Sequence, residues 1–203
     1  MTNTVINANI AIYMLLPRAL SPIIKDKLSS SDKGIVIYGA RQVGKTTLVK
    51  QILESLPLKV LTVNGDQTKY VDALSSRNLD TLKSLVTGYD LLFIDEAQRI
   101  PEIGLNLKIL LDEIPQVKLI VTGSSSLDLA SRVSEPLTGR IWTYKLFPMS
   151  FFELTQVNNR FELENRLEDR LIYGNYPQIF SFSGANEKQE YLQNLSDSLL
   201  YKD

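Results

Sequence analysis

Residues 35–49 read IVIYGARQVGKTTLV. The apolar run 35–38 stops at Gly39, and GARQVGKT at 39–46 fits the pattern G-x-x-x-x-G-K-[ST] without a mismatch. A helical pattern follows over 47–56. Strand, glycine loop, helix is the context that makes the match a phosphate-binding loop rather than a glycine-rich turn with a basic residue. Loop amides and the helix N-terminus would form a nest for phosphate oxygens. Gly39 and Gly44 permit backbone angles and a close approach that a side chain would block. Ala40, Arg41, Gln42 and Val43 fill the loop between them, and Thr47 continues it into the helix. Lys45 is expected to bridge the terminal phosphates. The Thr46 hydroxyl is expected to hold Mg²⁺, which prefers hard oxygen ligands. Arg41 would face phosphate or a partner.

Composition narrows the chemistry around this loop. The chain has 203 residues, enough for one medium domain with a small appendage. With 44% hydrophobic and 22% charged residues it reads as an ordinary globular protein. A net charge of -1 carries no global basic excess for nucleic acid, which leaves only a local patch for that role. There is no cysteine, so no disulfide framework, thiolate nucleophile or Cys-based zinc site. There is no histidine either, so a general base must be a carboxylate, lysine or tyrosine. The apolar stretch 5–16 is shorter than the about 20 residues of a spanning helix and is interrupted by Asn7 and Asn9. No membrane association is expected, and the cytoplasm is the expected compartment.

Outward from the loop, buried strands alternate with helices. Residues 17–30 read as a helix begun or broken at Pro22. Strands are expected at 58–63, 90–94, 117–121 and 141–146. Helices are expected over 71–85 in two pieces with Gly88 as cap, over 102–114, and over 127–133 with Ser126 as cap. This alternation predicts an α/β sandwich with a parallel sheet. After Pro148 the pattern turns helical, with a capping box at Ser150–Glu153, helices over 159–173 and 187–202, and a turn at 174–177. Phe161, Leu163, Leu167 and Leu171 are spaced for one helix face. The expected organisation is an N-terminal arm and helix over 1–33, a core over 34–148 and a helical lid or appendage over 149–203. No cap signal follows Tyr201, Lys202 and Asp203, so more chain is expected beyond them.

Asp95 and Glu96 follow the apolar run LLFI directly. A strand that ends beside the phosphate loop delivers acidic side chains to the metal. Asp95 is expected to hold Mg²⁺, directly or through water. Glu96 projects differently and would face the attacking water as base or water-positioner. The alternative is a solvated acidic pair at a strand end. Asn64, at the end of its own strand, would either hydrogen-bond Glu96 or sit in a solvated turn.

GARQVGKTTL, LLFIDEAQRIPEIG, VTGSSSLDLASRVSEPLTGR and YKLFPMSFFEL together resemble one family. It is the prokaryotic AAA+-type ATPases of the ATPase-14 group, which usually carry a C-terminal domain of unknown function. The resemblance runs over roughly residues 17–203. It implies an AAA+ domain, a further domain after Asp203, and a five-stranded parallel sheet of order 5-1-4-3-2. That order would set the end of the 117–121 strand between the phosphate loop and Asp95. Ser124 then matches the sensor position, with Thr122 beside it, against the alternative of plain turn chemistry. Arg140 matches the Gly-Arg after the sensor helix. A cation there would reach the γ-phosphate of a neighbouring subunit in a homo-oligomer; otherwise it is a surface arginine or the partner of a local carboxylate. Arg132 is the second candidate. No clear sensor arginine appears in the helical part, where Arg166 and Arg170 lack an anchoring motif.

The resemblance implies ATP and Mg²⁺ as ligands, with Lys45, Glu96, Ser124 and Arg140 serving hydrolysis to ADP. The second hypothesis is a nucleotide-gated binding or regulatory module with slow turnover and a protein or DNA partner. Lys25, Lys27 and Lys33 are the basic residues open to such a partner, against the reading of a solvated helix face. A GTPase is disfavoured by the absence of an Asn-Lys-x-Asp motif. A small-molecule kinase is disfavoured by Glu96 beside Asp95, which favours water as nucleophile. There is no ABC-type signature.

Overall fold

The computed structural model describes residues 16–124 and 136–200. The expectations for the arm over 1–15, for Ser126 as cap, for the helix over 127–133 with Arg132, and for the last three residues lie outside them.

Strands β1 (Gly34–Gly39), β2 (Val60–Asn64), β3 (Leu91–Asp95), β4 (Lys118–Ser124) and β5 (Ile141–Leu146) form one sheet. Its order is β2-β3-β4-β1-β5, with every pairing parallel. This is the 5-1-4-3-2 order. The central strands are nearly continuous apolar runs because helices cover both faces. β3 is buried at every residue, whereas the edge strand β2 alternates in exposure and β5 is largely exposed or half-buried, with only Leu146 buried. The register sets Gly39 opposite Ser124 on one side and Leu146 on the other, and Asn64 opposite Asp95. The C-terminal ends of the strands therefore share one edge, where the polar residues that close each apolar run collect.

The helices of this unit are α1 (Leu20–Ser30), α2 (Lys45–Glu54), α3 (Thr68–Leu74), α4 (Leu79–Val86) and α5 (Ile103–Glu113). Their apolar positions recur at helical spacing: Ile24 and Leu28 on α1, Leu48, Val49 and Ile52 on α2, and Ile103, Leu107 and Leu110 on α5 are buried. The helical stretch expected over 71–85 is two helices, separated where Arg77 takes a left-handed backbone with φ 51°. Asn106 is fully buried on α5. It accepts from the Arg77 N–H at 2.8 Å and donates to the Glu102 carbonyl, so it carries no unpaired polar cost.

Contacts divide the chain into two compact units, 20–146 and 16–19 with 147–200. Helix α1, read from sequence with the N-terminal arm, lies within the first unit. The second unit is all-helical, with α6 (Phe151–Leu154), α7 (Arg160–Asn165), α8 (Leu167–Tyr173) and α9 (Ala185–Leu200). The capping box at Ser150 and Glu153 is present in both directions, although its helix is a single turn. A second box joins Asn159 to Glu162. The buried Glu153 carboxylate also accepts from Arg18 Nε at 2.9 Å and from the Ala19 N–H at 2.8 Å. Leu16, Met149, Leu154 and Leu163 make the small core. The continuous helix expected over 159–173 breaks at Arg166, whose angles are φ −101° and ψ 12°. Of the four residues expected on one inward face only Leu163 is buried: Phe161, two residues before it on the same helix, points to another side, and Leu167 and Leu171 lie beyond the break, and all three are exposed.

Candidate functional site

Gly39 ends β1 in a space only glycine fits: a Cβ there would lie 2.3 Å from the Leu146 carbonyl oxygen of the adjacent strand. The loop then turns through Gln42 at φ 62° and Gly44 at φ 94° before α2 begins. Gly44 is the N-cap and supplies no side-chain cap, and the first intrahelical bond runs from Leu48 N–H to the Gly44 carbonyl. The amides of Lys45, Thr46 and Thr47 therefore open the helix with no intrahelical acceptor, which is the geometry that receives an anion. Val43 is buried beneath the loop, while Ala40, Arg41 and Gln42 form its outer side.

Lys45 is 6% exposed and donates from Nζ to the Gly39 carbonyl at 3.0 Å and the Ala40 carbonyl at 2.9 Å. Burial pulls its ammonium below the ordinary lysine value. The fields of Glu96 and Asp95 oppose that shift, and Arg41 adds to it. The ammonium is thus poorly solvated and folded back on its own loop, within reach of incoming acceptors.

Asp95 is 8% exposed and accepts on both oxygens. Oδ2 takes the Thr46 hydroxyl at 2.8 Å, and Oδ1 takes the Thr122 hydroxyl. Thr46 and Asp95 thereby present adjacent hard oxygens at the mouth of the loop, a donor set that fits Mg²⁺. Among the described residues no cluster of three or more acidic side chains forms a separate metal cage. Mg²⁺ held through one or two protein oxygens and substrate phosphate needs none.

Glu96 leaves the strand in the left-handed region, with φ 53° and ψ 42°. The turn is accommodated by Gly65, where a Cβ would lie 2.4 Å from the Glu96 carbonyl oxygen, and Gly65 N–H donates to the Asp95 carbonyl at 2.8 Å. Glu96 Oε2 accepts from the Gln98 amide nitrogen, and Gln98 Oε1 accepts from the Ser124 N–H at 3.2 Å. Asn64 does not reach Glu96; its side chain closes its own turn by accepting from the Asp66 N–H at 2.9 Å. Ser124 stands opposite Gly39, beside the start of the loop.

The structure brings together the 39–47 loop, Asp95, Glu96 and Ser124. It does not bring Arg140 to them. Arg140 precedes β5, and its carbonyl accepts from the N–H of Gly34 at the start of β1. It lies at the opposite edge of the sheet, roughly 20 Å along the strands from the loop. Its guanidinium forks onto Asp112 of α5, with Nε to Oδ1 at 2.6 Å and Nη2 to Oδ2 at 3.1 Å. Of the expected basic patch, Lys27 and Lys33 both lie over the Trp142 ring, at 5.1 and 4.9 Å from its centroid.

Sequence reasoning missed Gln98 and Gly65 as parts of the site, and it set Thr122 beside the sensor position rather than on Asp95. The DEAQ string contains Gln98, but its aim depends on the left-handed turn at Glu96, which no local pattern announces. Among the described residues no helix is long and apolar enough to cross a membrane.

Residues 31–155 match the model of an AAA domain family, more than half of the chain. The chain is 31% identical over 190 residues to the uncharacterized protein MJ1637 of Methanocaldococcus jannaschii, covering 83% of this chain and 39% of that protein. It is 36% identical over 108 residues to the uncharacterized protein Rv2008c of Mycobacterium tuberculosis, covering 53% of this chain and 23% of that one. The chain thus spans well under half the length of these relatives. Among solved structures it resembles the Walker-type ATPase PABY2304 of Pyrococcus abyssi, with TM-score 0.61 and 16% identity over 92% of this chain and 73% of that one. It also resembles AMPPCP-bound DnaA from Aquifex aeolicus, with TM-score 0.53 and 15% identity over 88% of this chain and 65% of that one. At these identities the two structures speak for the fold.

Proposed function

The chain belongs to the AAA domain family, and from that premise we propose that its 39–47 loop binds ATP with Mg²⁺ and that Glu96 directs hydrolysis to ADP. The observation that carries this reading is the Asp95 carboxylate: it joins Thr46 of the loop to Thr122 of the neighbouring strand, with Glu96 as the next residue. Loop amides and the α2 N-terminus receive the phosphates. Lys45 exchanges the Gly39 and Ala40 carbonyls for phosphate oxygens, which relieves the desolvation of its ammonium. Thr46 and Asp95 would hold Mg²⁺, whose charge neutralises phosphate oxygens when it is bound. Glu96 orients a water and takes its proton, a role that neither histidine nor cysteine can fill in this chain. Ser124, opposite Gly39 at the end of β4, would read the terminal phosphate.

Arg140 cannot serve the site of its own chain, since it lies at the far edge of the sheet and pairs with Asp112. In a homo-oligomer the same position would present it to a neighbour's nucleotide. Nucleotide state would then be passed to the helical unit, and any protein or DNA partner would act through it.

Glu96→Gln tests the core of the proposal. Turnover is expected to fall about 100-fold or more while ATP binding, read by a fluorescent analogue, stays within about twofold. Undiminished turnover would remove Glu96 from the chemistry. Wild-type single-turnover rates that match slow steady-state release, unchanged by Glu96→Gln, would favour the slow regulatory module instead.

A further inference from the structure

We infer that Gln98 is a positioning residue for Glu96, holding its carboxylate in place and tying it to the end of β4. Three observations converge on it. First, its amide is satisfied at both ends by groups of fixed character. The Glu96 carboxylate only accepts and the Ser124 N–H only donates, so just one orientation of the amide makes both bonds. Second, Gln98 does not sit on a loose loop. It lies in a 3-10 turn, Ala97–Arg99, whose flanking side chains Ala97 and Ile100 are buried. The turn is closed by the Arg99 N–H on the Glu96 carbonyl and the Ile100 N–H on the Ala97 carbonyl, both at 3.0 Å. Third, the bond engages Glu96 Oε2 alone, which leaves Oε1 as the oxygen to receive a water.

The consequence is a shared anchor. Strand β4 holds Asp95 through the Thr122 hydroxyl and Glu96 through Gln98, so both acidic residues are fixed to one strand end, beside the start of the phosphate loop. A carboxylate at the mouth of a site has free side-chain torsions unless something binds it, and catalysis depends on holding the reacting group in a narrow geometry. The left-handed backbone at Glu96 sets the direction of the side chain, and Gln98 sets its rotation.

This inference rests on Glu96 acting on the water, and the experiment separates the two. Gln98→Met keeps the length and removes both bonds. Gln98→Glu keeps the shape and the acceptor for Ser124 N–H but puts a carboxylate against Glu96. In the intact protein each is expected to lower kcat for Mg-dependent ATP hydrolysis about tenfold or more, with nucleotide Kd within about twofold and the melting temperature nearly unchanged. The double variant Glu96→Gln/Gln98→Met is expected to be no slower than Glu96→Gln, because a residue that acts only through another adds nothing once that one is gone. Wild-type or raised kcat in both single variants, beside a crippled Glu96→Gln, would overturn the role of Gln98 and leave that of Glu96 standing. So would losses that simply add in the double variant, or a parallel loss of nucleotide binding. Full turnover in Glu96→Gln would overturn the reading beneath it.

Discussion

Glu96 occupies backbone angles that cost a non-glycine residue about 1–2 kcal/mol, and the surrounding structure must hold it there. Gly65 is what makes room: the Glu96 carbonyl oxygen fills the space a Cβ would take, and the Gly65 N–H anchors the preceding carbonyl. The obstacle is backbone, so relief requires moving the turn that aims the carboxylate. Gly65→Ala is therefore expected to destabilise the protein by about 1–3 kcal/mol in urea unfolding and to lower ATP turnover more than nucleotide binding. An alanine variant with wild-type stability and turnover would show that the close approach is not what shapes the turn. Gly39 meets a similar constraint, with the Leu146 carbonyl of β5 in the space a Cβ would take.

Helix α6 is a single turn and cannot hold itself by intrahelical bonds. Its stability comes from the Glu153 carboxylate, which serves the Ser150 cap, the Ala19 N–H and the Arg18 guanidinium at once. Burial pushes the Glu153 carboxyl up, but the Ser150 and Ala19 N–H groups and the Arg18 guanidinium outweigh it, and the net value lies below that of an ordinary glutamate. The folded value is depressed relative to the unfolded one, so this stabilisation is fully present above the unfolded value of about 4.3 and is lost as pH falls through the folded value. Acidification from pH 7 to below about pH 4 should therefore lower the melting temperature of the helical unit, and Glu153→Gln should flatten that part of the profile. Arg18→Met leaves a buried carboxylate without its cation and is expected to cost about 3 kcal/mol in urea unfolding. Wild-type stability in Arg18→Met would mean the N–H donors alone hold the carboxylate.

At the scale of the molecule, the parallel sheet sorts functional groups by edge. Every strand delivers its C-terminal residue to the phosphate-loop edge, and the residue before β5 goes to the other. Arg140 is thus separated from the Glu96 site of its own chain by the length of the sheet. If it acts across a subunit boundary, two defective chains should complement each other. Glu96→Gln keeps Arg140, and Arg140→Ala keeps Glu96, so mixed oligomers contain a site with both. Turnover in the mixture is expected to exceed that of either variant alone. No recovery in mixtures shown by sedimentation to contain hetero-oligomers would assign Arg140 to the Asp112 pair and nothing more. That pair is exposed and contributes little stability of its own, so its loss should not confuse the result.

The amino-acid sequence by itself determined the strand–glycine loop–helix unit at 35–54, the acidic pair after LLFI and the α/β alternation. Each is a local signal: glycines where the backbone must turn, apolar runs where a strand is covered on both faces, polar residues where the run ends. Strand order is not written in the periodicity; the family resemblance implies 5-1-4-3-2, and the sheet has that order. What only the tertiary structure decided are the bonds that span the phosphate-loop edge. Thr122 answers Asp95 and Ser124 answers Gln98 because the β3–β4 register brings together residues more than twenty positions apart in the chain, and the left-handed turn at Glu96 lets its near neighbour Gln98 reach its carboxylate. The same holds for Arg18 and Glu153, and for Arg140, whose place at the far edge follows from where β5 begins against β1. Hydrophobic period and turn chemistry are written residue by residue; the partner of a buried side chain depends on which distant backbone the packing sets beside it.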